Sequence, residues 1–186
     1  MTAERIVPTF LCNKKFDEAM LVSFVEFYDK CIASGRKEAI IYIDSPGGYV
    51  HVANSMLSLI ENTNITFHTV CIGEACSCGL LLLAGGDKRY ATDRARMMFH
   101  DISAGSYGHC DQMEDDIERM KKLSKDVMER FAKRTKKPLK WWMDQYIKNA
   151  NRCYWFNEKT AKTVGVIDSI GLPVDKVKTE VEIGVQ

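Results

Sequence analysis

Short apolar runs of strand character, Arg5–Leu11, Ala39–Ile43, Ile65–Ile72 and Ala95–Phe99, alternate along the chain with stretches whose apolar residues return about every three to four positions. Phe16, Met20, Phe24 and Phe27 mark one face of a first helix, which Gly35 ends by offering a left-handed position. Val52, Met56, Leu59 and Ile60 mark a second. After a turn at Gly73, a third helix carries Leu80–Leu83 with no polar face, which predicts burial on every side. Strands and helices alternating at this spacing predict an α/β fold, a parallel sheet with helical crossovers.

Beyond residue 104 the pattern changes. A polar loop, Gly105–Gly108, leads to a long charged helix, Asp111–Arg134, with an apolar stripe of Met113, Ile117, Met120, Leu123, Val127 and Phe131. The parent domain or a partner subunit must cover that stripe, and pattern alone leaves both open. A helix over Leu139–Ile147, a strand-like Tyr154–Phe156 and a short helix from Asn157 as N-cap to Gly165 as stop complete the reading. With no repeat and no linker, residues 1–186 read as one domain, a head of about 5–104 and 148–175 with a protruding helix at about 111–134.

Composition removes function classes more than it adds them. The 26 basic and 25 acidic residues balance, so no global field recruits nucleic acid or an anionic membrane. No apolar stretch approaches the roughly 20 residues of a membrane helix. Seven scattered cysteines and a start without a secretory pattern predict a reducing, cytoplasmic location. Cys71, Cys76 and Cys78 lack zinc-site spacing and read as buried hydrophobes rather than metal ligands or thiol nucleophiles. Trp141-Trp142 beside Lys136, Lys137 and Lys140 reads as a packing surface rather than a nucleic-acid patch.

Two turns can carry chemistry. Asp44-Ser45-Pro46-Gly47-Gly48 follows a buried strand, where paired glycines let main-chain N–H groups approach a ligand. Gly73-Glu74-Ala75-Cys76-Ser77-Cys78-Gly79 sets Ser77 at the N-terminus of the buried helix, where free N–H groups suit a nucleophile whose attack creates an oxyanion. Ser77 as a plain N-cap is the competing reading. His100 closes the strand after Met97-Met98-Phe99, on the rim where parallel strands end, so a base there can reach Ser77.

Together these residues resemble the Clp protease proteolytic subunit family, with its ClpP/crotonase-like fold. Its N-S-P-G-G turn, G-x-A-x-S turn and strand-closing histidine stand here as Asp44–Gly48, Gly73–Ser77 and Met97–His100, and the agreement runs from about Arg5 to Ile170. The resemblance implies a serine endopeptidase with Ser77 as nucleophile, His100 as general base and the Gly48 and Cys78 N–H groups as oxyanion hole. It further implies unfolded polypeptides as substrate, no cofactor, and homo-oligomeric rings of about seven subunits, stacked as a tetradecamer through the long helix. An AAA+ unfoldase is the implied partner, although only Met1–Glu4 precede the first strand, which argues against its docking.

The resemblance departs at the triad acid. Counting back from Asn157, the family aspartate falls on Cys153; Asn151 could orient the ring instead, and Asp101 or Asp168 could approach from elsewhere. A catalytically weak ring subunit partnering an active paralogue is therefore the alternative function, and crotonase-type acyl-coenzyme A chemistry a third. Short divergent members of this kind are similar to those that phage genomes encode.

Overall fold

The structure, a computed structural model, describes residues 7–103, 107–149 and 151–173. Its elements run β1 (Thr9–Cys12), α1 (Glu18–Ala33), β2 (Glu38–Ser45), α2 (Val50–Glu61), β3 (Thr66–Cys76), α3 (Cys78–Gly85), β4 (Lys88–Ala91), β5 (Arg96–Phe99), α4 (Cys110–Arg134), α5 (Leu139–Lys148), β6 (Tyr154–Asn157), α6 (Glu158–Val164) and β7 (Ser169–Ile170). The expected α/β class is observed. Strands β1-β2-β3-β4-β7 are parallel neighbours, β5 pairs in parallel with β3, and β6 is antiparallel to β5.

The organising feature is β3. Its eleven residues serve two neighbours in succession: His68–Cys71 pair with β4, and Glu74–Cys76 pair with β5. A strand flanked this way is buried on both faces, and Phe67 through Cys71 are all buried, the polar His68 and Thr69 included. The forked strand carries β5 and its terminal His100 to the turn where β3 ends.

Several expected boundaries shift. The first strand starts at Thr9 rather than Arg5, and Met1–Ile6 lie outside the described residues. Phe16 is not helical: it bridges Gly48, and α1 begins beyond Asp17, whose carboxylate caps it by accepting the Met20 N–H at 2.9 Å. Asp44 and Ser45 belong to β2, so the first turn shrinks to Pro46–Gly48. Gly73 is strand rather than turn, because Asp44 reaches across to accept the Glu74 N–H at 2.9 Å and holds β3 extended as far as Cys76. The strand β4 has no counterpart in the hydrophobic pattern, since Lys88-Arg89-Tyr90-Ala91 contains one buried residue.

The long helix divides the two readings of its stripe. Val127, Met128 and Phe131 are buried, whereas Ile117 and Leu123 stay exposed at 46% and 38%. The C-terminal half therefore packs on the parent fold, and the N-terminal half presents apolar side chains to solvent. Arg134 fastens the packed end by donating to the Ala84, Gly85 and Gly86 carbonyls at the C-terminus of α3. Arg89 donates to the Arg134 and Gly165 carbonyls and pairs with Asp168. Burial alone would raise the Asp168 carboxyl, but the Arg89 hydrogen bonds and charge, with Lys136, hold it below the ordinary range.

Trp142 is fully buried, meets Phe99 in a tilted contact with ring centroids 5.1 Å apart and Phe131 edge-on at 4.9 Å, and donates its indole N–H to Thr135. Packing is thus the role of this residue, as its place after a proline implied.

Candidate active site

Ser77 occupies the sharp junction between β3 and α3 with φ 53° and ψ −117°. A non-glycine residue there is strained, by about 1–3 kcal/mol, and persists only where its surroundings impose it. They do so visibly: the Ser77 N–H is bonded to the Met98 carbonyl of β5 at 3.0 Å, and its own carbonyl accepts the Leu80 and Leu81 N–H groups that start α3. The side chain makes no capping bond. The N-cap reading therefore fails, and the hydroxyl is left at the positive end of a helix whose eight residues are all buried.

The glycine turn is docked directly on this junction. A Cβ on Gly47, whose φ is +95°, would stand 2.8 Å from Ser77 Cβ and 2.7 Å from the Cys76 carbonyl. The Cys78 thiol donates to the Gly48 carbonyl at 3.2 Å. Ser45, fully buried, fixes the turn by donating to the Lys14 carbonyl at 2.6 Å and accepting the Gly47 N–H at 3.1 Å. Phe16 N–H binds the Gly47 carbonyl, and the Tyr49 N–H binds the Phe16 carbonyl. Among the described residues, the backbone hydrogen bonds between this turn and Phe16 engage the Gly47 carbonyl and the Tyr49 N–H rather than the Gly48 N–H.

His100 follows β5 immediately and lines one small pocket with Ser77, Cys78, Val50, Leu80, Phe99, Ile102 and Met128. Burial pushes the imidazole below its ordinary value, and the charge of Asp101 works in the opposite direction. A neutral imidazole is the form a general base requires.

Cys153 directly precedes β6. The antiparallel register ends with Phe99 paired to Tyr154, so His100 and Cys153 are the residues next beyond the last pair, and Cys153 is the place that counting from Asn157 indicated. No carboxylate stands there. Asn151 is exposed in the turn before it. Asp168 is engaged by Arg89, which removes it as a candidate acid. Asp101 is next to His100, and its Oδ1 accepts the Ser124 hydroxyl of α4 at 2.9 Å.

The cysteine alternative loses its chemistry. Burial pushes the Cys71 and Cys76 thiols up to about 12 and raises that of Cys78, so all three are protonated near neutrality and weakly nucleophilic.

Sequence reasoning placed Ser45 in the first turn but did not find its role in fixing that turn, nor the Met98 carbonyl or the Ser124 partner of Asp101. A serine before Pro-Gly-Gly is a local signal for the first. The other two depend on tertiary contact and have none.

The Clp protease family profile matches residues 30–173, a span that includes both turns, His100 and Cys153. The chain belongs to the Clp protease family. A relative, the ATP-dependent Clp protease proteolytic subunit 2 of Bacillus licheniformis, is 33% identical over 137 residues, 73% of this chain and 70% of that protein. Membership makes the chain a serine peptidase of the Clp type and accounts for its mostly parallel sheet with flanking helices. The asparagine that usually opens the family's first turn is Asp44 here, and its Oδ1 accepts a backbone N–H as an asparagine oxygen would. Among the described residues no helix is long and apolar enough to cross a membrane.

Proposed function

We propose that the chain is an endopeptidase that cleaves unfolded polypeptides by acyl-enzyme chemistry at Ser77. His100 takes the hydroxyl proton as Ser77 Oγ attacks the peptide carbonyl. The Gly48 and Cys78 N–H groups stabilise the tetrahedral oxyanion, His100 returns the proton to the leaving amine, and water then releases the acyl group. The observation that carries this reading is the strained, uncapped Ser77 sharing one pocket with a half-buried His100.

Homo-oligomeric rings enclosing the sites are the assembly that fits a helix α4 with exposed Ile117 and Leu123. Residues 1–186 act in this reading as one domain. A second reading, a weakly active ring subunit, draws on one observation, the Cys153 thiol next beyond the last β5–β6 pair, where the family carries its triad carboxylate. Loss of that carboxylate costs about 10⁴ in turnover where it is the whole support of the histidine.

The test is labelling of the purified chain by a fluorophosphonate, read by intact mass, with Ser77→Ala and His100→Ala in parallel. Single-site labelling lost in both variants is the expected result. An assembled but unlabelled wild type would transfer the assignment to the weakly active subunit.

A further inference from the structure

The serine-peptidase reading, on which this inference rests, leaves His100 without the carboxylate that ordinarily supports the imidazolium. Cys153, next beyond the last β5–β6 pair as His100 is, carries no carboxylate, Asn151 is exposed, and Asp168 is held by Arg89. Asp101 is different. Its Oδ1 accepts two hydrogen bonds, from the Ile102 N–H at 2.8 Å and from the Ser124 hydroxyl at 2.9 Å, so α4 fixes the carboxylate at the residue adjoining His100. Asp101 and Ser124 border a groove whose Ile102 and Met128 also line the pocket of Ser77 and His100. The carboxylate and the reacting pair thus share one wall.

We propose that Asp101, pinned by Ser124, is the positioning residue that supplies the negative charge His100 needs when it accepts the Ser77 proton. The imidazolium forms in a pocket that opposes it. The groups that line the pocket with His100, from α2, α3, β5, α4 and the segments beside them, are Val50, Ser77, Cys78, Leu80, Leu81, Phe99, Ile102 and Met128, none of them charged. Lys121 and Lys125 of α4 line the groove beside Asp101 and offset part of its charge. Burial lowers the affinity of His100 for a proton, and Asp101 restores some of it. Because Asp101 acts through space rather than by the direct ring bond of a triad, its removal costs on the order of tenfold rather than 10⁴.

Asp101→Asn separates charge from shape, since an amide oxygen can still accept from Ser124 and Ile102. The rate of fluorophosphonate labelling is measured across pH for the wild type, Asp101→Asn and Ser124→Ala. Without the anion His100 loses its proton more easily, so the acid limb of the Asp101→Asn profile moves to lower pH while its plateau falls on the order of tenfold. Ser124→Ala, which frees the carboxylate without removing it, shifts both in the same direction by less. An Asp101→Asn profile that coincides with the wild type overturns the proposal. A lowered plateau with an unmoved limb also overturns it, because that marks a structural role only. A wild type that is not labelled at Ser77 overturns the peptidase reading and this inference with it, an outcome visible before any variant is compared.

Discussion

Gly47→Ala is the sharpest probe of how the glycine turn and the nucleophile turn are built against each other. Two costs add at this position. The first is backbone strain: φ is +95°, where an L side chain is disfavoured by about 1–2 kcal/mol. The second is steric. The new methyl would lie 2.7 Å from the Cys76 carbonyl, 2.8 Å from Ser77 Cβ and 3.1 Å from the Cys78 nitrogen, against backbone that cannot swing aside. Overpacking of this kind adds about 1–3 kcal/mol. Gly35→Ala supplies the control, because its φ of +63° carries comparable strain while a Cβ there meets nothing within 4 Å.

Urea unfolding should therefore place Gly35→Ala about 1–2 kcal/mol below wild type, and Gly47→Ala a further 1–3 kcal/mol below that. Function should separate the two more widely. Relief of the contact displaces Ser77 or the Gly48 N–H by a fraction of an ångström up to about 1 Å, a misplacement that costs on the order of 10² in rate. Gly35→Ala should label with fluorophosphonate at the wild-type rate. If Gly47→Ala were no less stable than Gly35→Ala and labelled as fast as wild type, the docking of the two turns would be refuted.

Trp142→Ala should lower stability by about 3–5 kcal/mol in denaturant unfolding, because the indole is fully buried against Phe99, Phe131 and Phe156 and nothing can refill the space. Cys153→Asp should raise peptidase turnover at least about tenfold by giving the imidazolium a carboxylate opposite the ring. The same anion raises the His100 pKa, so the acid limb of the pH–rate profile should move to higher pH; an unmoved limb would show that residue 153 does not face the ring. Ile117→Glu combined with Leu123→Glu should reduce the sedimenting mass without lowering the thermal midpoint of the protomer, since both side chains are exposed. Unchanged assembly would remove this stripe from the subunit contact.

The alternation of strands and helices, the Pro46–Gly48 turn, the all-round burial of Leu80–Leu83 and the helix stops at Gly35 and Gly165 were determined by the sequence itself. Each depends on local periodicity or on a backbone conformation that one residue type adopts cheaply. Ser77 and His100 were legible for the same reason, as residues set at the ends of strands beside glycine-bearing turns.

Tertiary structure decided the rest. No local signal extends β3 to Cys76 or lets it fork between β4 and β5, because pairing partners 20 and 22 residues apart determine both. The rejection of Ser77 as a cap follows from its lack of a side-chain capping bond, at a φ of 53° held by the Met98 carbonyl and the docked glycine turn. Only the antiparallel pairing of β5 with β6 brings the segment before Asn157 beside the strand that ends at Phe99. Only the packing of α4 on the head ties Asp101 to Ser124. Hydrophobic pattern reports which face of an element is buried, whereas strand register and side-chain hydrogen bonds between distant segments depend on how those buried faces come together.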